Sequence, residues 1–387
     1  MRRSAGLCSV AVLVAIVWGC AGTRPSGGLG PAETVAPGVE LYRTTDRSLV
    51  DDEGPIAVFL LKLDPALVLL DSVLSNDQVV DAETVPGIAS RHRAIAAVNG
   101  GYFNIQNGEP VSLLKVRGEL VSDSPGVRGA VVIRNAPDGR TSLAFDQLSA
   151  RVSANIATAT GPQTVPIDGV DTTRERGKLM LYTPAYHDDT DTAPAGTEWV
   201  LAGTPLQVLE VRSGVGRAPI PRGGAVLSYG GTTLPPPLQS LTVGTAVTFR
   251  TTWKSLRGLG VDLLESADHI VNGAGLLRRD GTVIRDWEAE NLNSERFVNA
   301  RHPRTIVGVD GNGHIWLGAI DGRQSDHSVG MTFADLQRLC DRVGLRDALN
   351  LDGGGSTTMV VKDRVVNKPS DAAGPRAVSD AIVVRSR

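Results

Sequence analysis

Two apolar runs, Thr305 to Val309 and His314 to Ile320, flank Asp310-Gly311-Asn312-Gly313. Asp-Gly and Asn-Gly steps supply the residues that a tight turn needs, so this stretch is constrained to a β-hairpin. A capped helix follows: Thr332 stands where an N-cap hydroxyl belongs, and Phe333, Leu336, Leu339, Cys340 and Val343 recur at helical spacing. Asp335 falls in its first turn and Gly344 at its end. Ala348 to Leu351 then reads as a short buried strand running into Asp352-Gly353-Gly354-Gly355-Ser356, after which Thr357 to Val361 resumes strand character. The glycine run is therefore placed on a hinge between two strands.

The rest of the chain carries weaker versions of the same pattern. Ile56 to Leu63 and Leu67 to Leu74 are strands separated by Asp64-Pro65, and a short helix is expected around Asp81 to His92. Ala94 to Val98 is a small buried strand that ends abruptly at Asn99-Gly100-Gly101-Tyr102-Phe103-Asn104. From about Leu113 to Phe249, short strand candidates alternate with turn signals such as Pro221-Arg222-Gly223-Gly224. With 44 Gly, 22 Pro and 4% aromatics, a β-rich framework is favoured over a helical bundle. No repeat and no linker divides the chain. The expectation is an α+β fold of mixed, strand-rich sheets with a few packed helices in a single catalytic domain, residues 39–93 forming its N-terminal part and 94–387 the remainder.

Met1-Arg2-Arg3 followed by the apolar stretch Leu7 to Val17 reads as an export signal, too short to span a bilayer comfortably. Val17-Trp18-Gly19-Cys20 resembles a bacterial lipobox, which makes residues 1–20 a signal segment and Cys20 the site of lipid attachment. Residues 21–38, rich in Gly, Pro, Ala and Ser, are expected to be a flexible tether. These features imply an exported lipoprotein anchored to a membrane of a bacterial cell envelope, the alternative being a secreted soluble protein cut nearby. Cys8 and Cys20 fall in the signal and at the anchor, so the folded body has only Cys340, on the apolar side of its helix, and no internal disulfide. A net charge of −3 without a Lys/Arg cluster argues against nucleic acid as a partner. His187-Asp188-Asp189 with Asp191 reads as a solvated loop rather than a metal site. No motif implies a metal or another cofactor, and a divalent-cation requirement stays open.

Three consecutive glycines after Asp352 let backbone N–H groups approach a ligand closely, yet the run lacks the Lys-Ser/Thr of a P-loop, and an inert tight turn is the competing reading. Arg304 and Arg323 suit bidentate binding of a phosphate, or are surface charges. Asp321 and Asp352 suit a general acid, base or nucleophile if their environments separate their pKa values, and Asp321 can instead cap a turn.

The order of these motifs resembles the phosphodiester glycosidase family. Asn99 to Asn104, Pro303-Arg304-Thr305 with Gly308, Asp321-Gly322-Arg323, Gly330-Met331-Thr332 and Asn350 to Ser356 carry the resemblance, with Asn367 to Ser370 and Arg376 to Ala381 near the end. It covers roughly 94–384, and departs from the family at Asn272-Gly273-Ala274-Gly275, where a Gly-Gly pair is common. The resemblance implies hydrolysis of the bond between a sugar anomeric carbon and a phosphate. It suggests Asp352 as the catalytic carboxylate, with Asp321 as its partner or an orienting group. Arg304, Arg323, Gly353, Gly354, Gly355 and Ser356 would then bind phosphate, and Asn99, Gly100, Gly101, Tyr102, Asn104 and Asn350 the sugar. The expected substrate is a phosphodiester-linked glycan or glycopolymer at the cell surface or in secreted material. A noncatalytic carbohydrate-binding envelope protein and a glycosidase of phosphate-free acidic polysaccharide are the competing functions.

Overall fold

The computed structural model describes residues 29–387 apart from 138, 160 and 293, so the signal segment and Cys20 lie outside the described residues. The fold is the expected strand-rich α+β domain. Its largest sheet has eight antiparallel strands, in the order Glu33–Ala36, Val39–Thr44, Val58–Leu63, Ile315–Ile320, Arg304–Asp310, Leu345–Asn350, Leu276–Arg279 and Thr282–Val283. The hairpin read from the sequence lies near its centre, with Arg304 opposite Ile320 and Val309 opposite Ile315. Asp310 closes the turn by accepting from the backbone N–H groups of Asn312 and His314.

A five-stranded antiparallel sheet runs Arg364–Val365, Met359–Val361, Ala96–Asn99, Asp380–Ser386 and Val68–Leu74. Residues 39–93 are thus threaded through both sheets: Val58–Leu63 pairs with Ile315–Ile320, and Val68–Leu74 with Asp380–Ser386. The middle of the chain adds two further sheets, one of seven strands built around the 18-residue strand Thr141–Thr158, the other of five. A core running from Val39 and Leu61 to Leu349 and Ile382 fills the interior with side chains almost wholly removed from water.

Helix Phe333–Val343 starts at a capping box in which Thr332 accepts from the Asp335 N–H and Asp335 accepts from the Thr332 N–H; Gly344 ends it at φ 80°. Its apolar stripe buries Phe333, Leu336, Leu339 and Cys340, and burial pushes the Cys340 thiol up to about 12, well away from reactivity. The other predicted helix is shorter than expected, Val85–Arg91, because Thr84 caps it and Pro86 occupies its first turn.

The part of the expected tether from Glu33 to Gly38 is a strand and a turn instead. Glu33–Ala36 is an edge strand joined to Val39–Thr44 through Pro37-Gly38, with Gly38 at φ 73°. Val35 and Leu29 are buried against the core. A Pro-Gly turn between strand-forming residues outweighs the small-residue composition there.

Candidate active site

The chain crosses from one sheet to the other through residues 351–358. Strand Leu345–Asn350 delivers it from the eight-stranded sheet, and strand Met359–Val361 takes it into the five-stranded one. At this crossing, strand Arg304–Asp310 begins beside the exit of Leu345–Asn350, and the Leu351 N–H donates to the Thr305 carbonyl over 2.8 Å. Strand Ala96–Asn99 ends on the other side. Asn99 is 1% exposed and uses its amide as a clamp: Nδ2 donates to the Asp352 carbonyl at 2.8 Å, while Oδ1 accepts from Thr305 Oγ1 at 2.7 Å and the Thr358 N–H at 3.2 Å. The Asp352 N–H donates to the Gly100 carbonyl. Asn99 and Gly100 therefore fix the backbone of Asp352 on both sides of its peptide, and Thr305 holds the residue before it.

Asp352 opens into a cavity of about 250 Å³ lined by Arg304, Arg323, Arg376, His302, Tyr102 and Phe297, together with Gly353 to Gly355. Burial raises its carboxyl to about 6, against the pull of the Ser356 hydroxyl, the Gly353 N–H and Arg376, with Asp380 adding a like charge. Asp380 lies directly behind. One of its oxygens accepts from the Gly101 N–H at 3.0 Å, the other has no partner, and burial raises it too to about 6. A Cβ on Gly100 would stand 1.9 Å from that unpartnered oxygen, so only glycine fits.

Each glycine of the run meets a different neighbour. A Cβ on Gly353 would approach the Pro303 carbonyl to 2.6 Å, and one on Gly355 would approach Arg376 Nη2 to 2.1 Å. Gly354 sits at φ 61° beneath the Arg323 guanidinium. The run is less of a backbone cradle than expected: the Gly353 N–H donates to its neighbour Asp352 Oδ1, and the Gly354 N–H to the Pro303 carbonyl. The glycines mainly let arginines pack against the main chain.

Arg304 is 2% exposed, yet pairs with no carboxylate among the described residues. Its Nε and Nη2 donate to the carbonyls of Met331, Phe297 and Ala300. Its plane lies 4.9 Å from the Phe333 ring centroid and 5.3 Å from that of Phe297, each contact worth about 0.5–2 kcal/mol. Burial lowers its pKa to about 10. Nη1 is left without a protein partner and lines the cavity with the rest of the side chain. Arg323 is exposed, without an acidic partner among the described residues, and leans on His302 Nδ1 at 3.3 Å. His302 bonds the Arg296 carbonyl through Nε2; burial and the two arginines keep it neutral, so Nδ1 accepts from Arg323. Arg376 is tied to Asp371 at 2.8 Å.

Several expected assignments change. Asp321 does not line the cavity: its carboxylate is 1% exposed and spent on Asn367 Nδ2, the Lys368 N–H and His327 Nε2. It anchors the 367–368 segment rather than partnering Asp352. Asn350, fully buried, donates to the Ala274 carbonyl and the Tyr102 hydroxyl, out of reach of a sugar. Asn99 is likewise scaffold, and Ser356 is fully buried beneath the loop. Asn104 bonds the Gln106 N–H within its own turn. Tyr102 does face the cavity, its hydroxyl donating to the Leu351 carbonyl. His302, Arg376 and Asp380 have no assigned role on sequence, although Arg376 and Asp380 lie inside the closing motif segment and His302 directly precedes Pro303-Arg304-Thr305. Among the described residues no group of three or more His, Cys, Asp or Glu is placed to hold a metal ion. Asp189 and Asp191 clamp Arg217.

The same glycine hinge and its arginines fall within the part of the chain with known relatives. Residues 208–385 match the phosphodiester glycosidase family. The resemblance read from the motifs therefore holds, although this match to the phosphodiester glycosidases begins after Asn99 to Asn104 rather than before them. The N-acetylglucosamine-1-phosphodiester alpha-N-acetylglucosaminidase of Mus musculus is 28% identical over 131 residues, 32% of this chain and 25% of the mouse protein. The chain thus spans about a quarter of the length of that relative. Two solved structures share the fold. A Synechocystis protein superposes with a TM-score of 0.75 at 21% identity, covering 92% of this chain and 64% of that one. A protein of Burkholderia pseudomallei K96243 gives 0.73 at 24% identity, covering 87% and 75%.

Proposed function

We propose that this protein hydrolyses a sugar-1-phosphate phosphodiester, releasing free sugar and a phosphomonoester. One observation carries the reading: the cavity presents a single carboxylate, Asp352, among three arginines, two of which have no acidic partner among the described residues. Ordinary glycosidases use two carboxyl groups because one must protonate the leaving oxygen. A phosphate leaves as an anion, so guanidinium groups replace the acid by neutralising the charge that develops on it. Arg304, buried without a counter-ion, gains most from an anion entering the cavity. Asp352, on the opposite side of the anomeric carbon, then stabilises the oxocarbenium-like centre or activates water.

The family match supports this chemistry at the level of a hydrolase of this kind. We extend it to a phosphodiester-linked glycan or glycopolymer, acted on outside the cytoplasm by a protein held to the membrane through Cys20. The test is release of reducing sugar from a panel of sugar-1-phosphodiesters by the purified protein. Asp352→Asn is expected to lower the rate by on the order of 10²–10⁴-fold with the fold intact. Undiminished turnover in that variant removes Asp352 from the reaction.

A further inference from the structure

Tyr102 and Phe297 line not one cavity but two. Beyond the Asp352 cavity they also wall a space of about 200 Å³ that contains Arg128, Ser112 and Leu292. Arg128 lies on strand Ser124–Asn135, near enough to Tyr102 for its charge to act on the phenol. Its Nη1 is buried and makes no hydrogen bond, and no carboxylate pairs with the side chain among the described residues. The neighbouring buried acid, Glu290, is taken up by the backbone N–H groups of Gly129, Gly275 and Leu276 and by Gln147 Nε2. The Arg128 side chain lines this cavity with no counter-ion among the described residues, and such a guanidinium binds an incoming oxyanion more strongly than a neutral hydroxyl.

The Tyr102 and Phe297 rings, with centroids 6.2 Å apart, wall both cavities. Tyr102 and Phe297 would flank a sugar whose scissile phosphate sits among Arg304, Arg323 and Arg376, and the same two side chains face the cavity that holds Arg128.

We propose that this second cavity is a subsite for another anionic group of the substrate, an oxyanion on the sugar distinct from the scissile phosphate, bound by Arg128. The inference rests on the phosphodiester reading and narrows it to acidic sugars, the oxyanion being a carboxylate or a second phosphate.

Calorimetric binding of glucose 1-phosphate, glucuronic acid 1-phosphate and glucose 1,6-bisphosphate to the full chain tests it. At least one of the two probes with a second anionic group should bind about tenfold or more tightly than glucose 1-phosphate, and whichever gains more identifies the oxyanion. In Arg128→Gln the ratio should fall to within about twofold of unity, while Arg128→Lys, which keeps the charge, should retain part of it. Equal binding of all three probes by the unaltered protein overturns the proposal without any variant, as does a preference that survives Arg128→Gln. If neither glucose 1-phosphate nor inorganic phosphate binds at all, the phosphodiester reading itself fails and the subsite with it.

Discussion

Asp352 and Asp380 stand one behind the other at the hinge, both lifted to about 6, first of all by burial. Asp352 acts as a carboxylate in the proposed reaction, so kcat/KM should rise with pH along a limb centred near 6 and level off above it. A profile that falls through this range means that Asp352 works as an acid. For stability the sign is opposite. Between the unfolded value near 4 and the folded value near 6 the native state binds more protons than the unfolded chain, so raising the pH across that window costs stability. Asp380→Asn removes its share of this cost, since an amide keeps an acceptor for the Gly101 N–H and supplies a neutral group where the unpartnered oxygen stands. Its melting temperature should exceed that of the parent by roughly 2–6 °C at pH 7.5 and match it at pH 4. The activity limb should also move to lower pH, because a like charge behind Asp352 has gone. An unchanged difference at both pH values rules out proton linkage as the cause.

At the scale of elements, the glycine hinge separates stability from ligand binding along three residues. A methyl on Gly353 runs into the Pro303 carbonyl, which belongs to the main chain and must shift; a methyl on Gly355 runs into the paired side chains of Arg376 and Asp371, which can swing aside. Gly353→Ala should therefore cost about 1–3 kcal/mol by denaturant titration. Gly355→Ala should cost under about 1 kcal/mol while weakening phosphate binding, because Arg376 leaves its place beside the loop. Equal losses of stability in the two variants contradict this division. The local elements around the hinge were legible in the sequence because their signals are short-range: Asp310 to Gly313 for the turn, Thr332 with Asp335 for the start of the helix. The strand Glu33–Ala36 is hidden in the sequence because a two-residue turn, Pro37-Gly38, outweighs the surrounding linker-like composition.

The whole molecule is held together by its last strand. Asp380–Ser386 lies between Val68–Leu74 and Ala96–Asn99, and Ala381, Ile382, Val383 and Val384 are fully buried. Burying a Val or Ile side chain is worth about 1.5–3 kcal/mol, and two ladders of hydrogen bonds are added to that. The loss approaches the 5–15 kcal/mol by which a domain is stable. A chain ending at Ser379 should show no cooperative thermal transition by circular dichroism; a normal melt would show that the two sheets stand without the closing strand.

Neighbours in the chain decide the hairpin at 305–320, the capped helix, the buried Cys340, and the presence of glycines and an aspartate at a strand junction. Tertiary structure decided which polar residues are free. Asn99, Asn350 and Asp321 looked available for a ligand because their side chains carry the right atoms, but Thr305 and Asn367 occupy Asn99 and Asp321 from across the fold, and Asn350 is fully buried with its Nδ2 on the Ala274 carbonyl. Arg304 and Arg323 stood out on sequence and Arg128 did not, yet packing leaves all three without acidic partners among the described residues. A residue type states which bonds a side chain can make. Only the folded arrangement settles which remain to be made, since burial sets the cost of leaving them open.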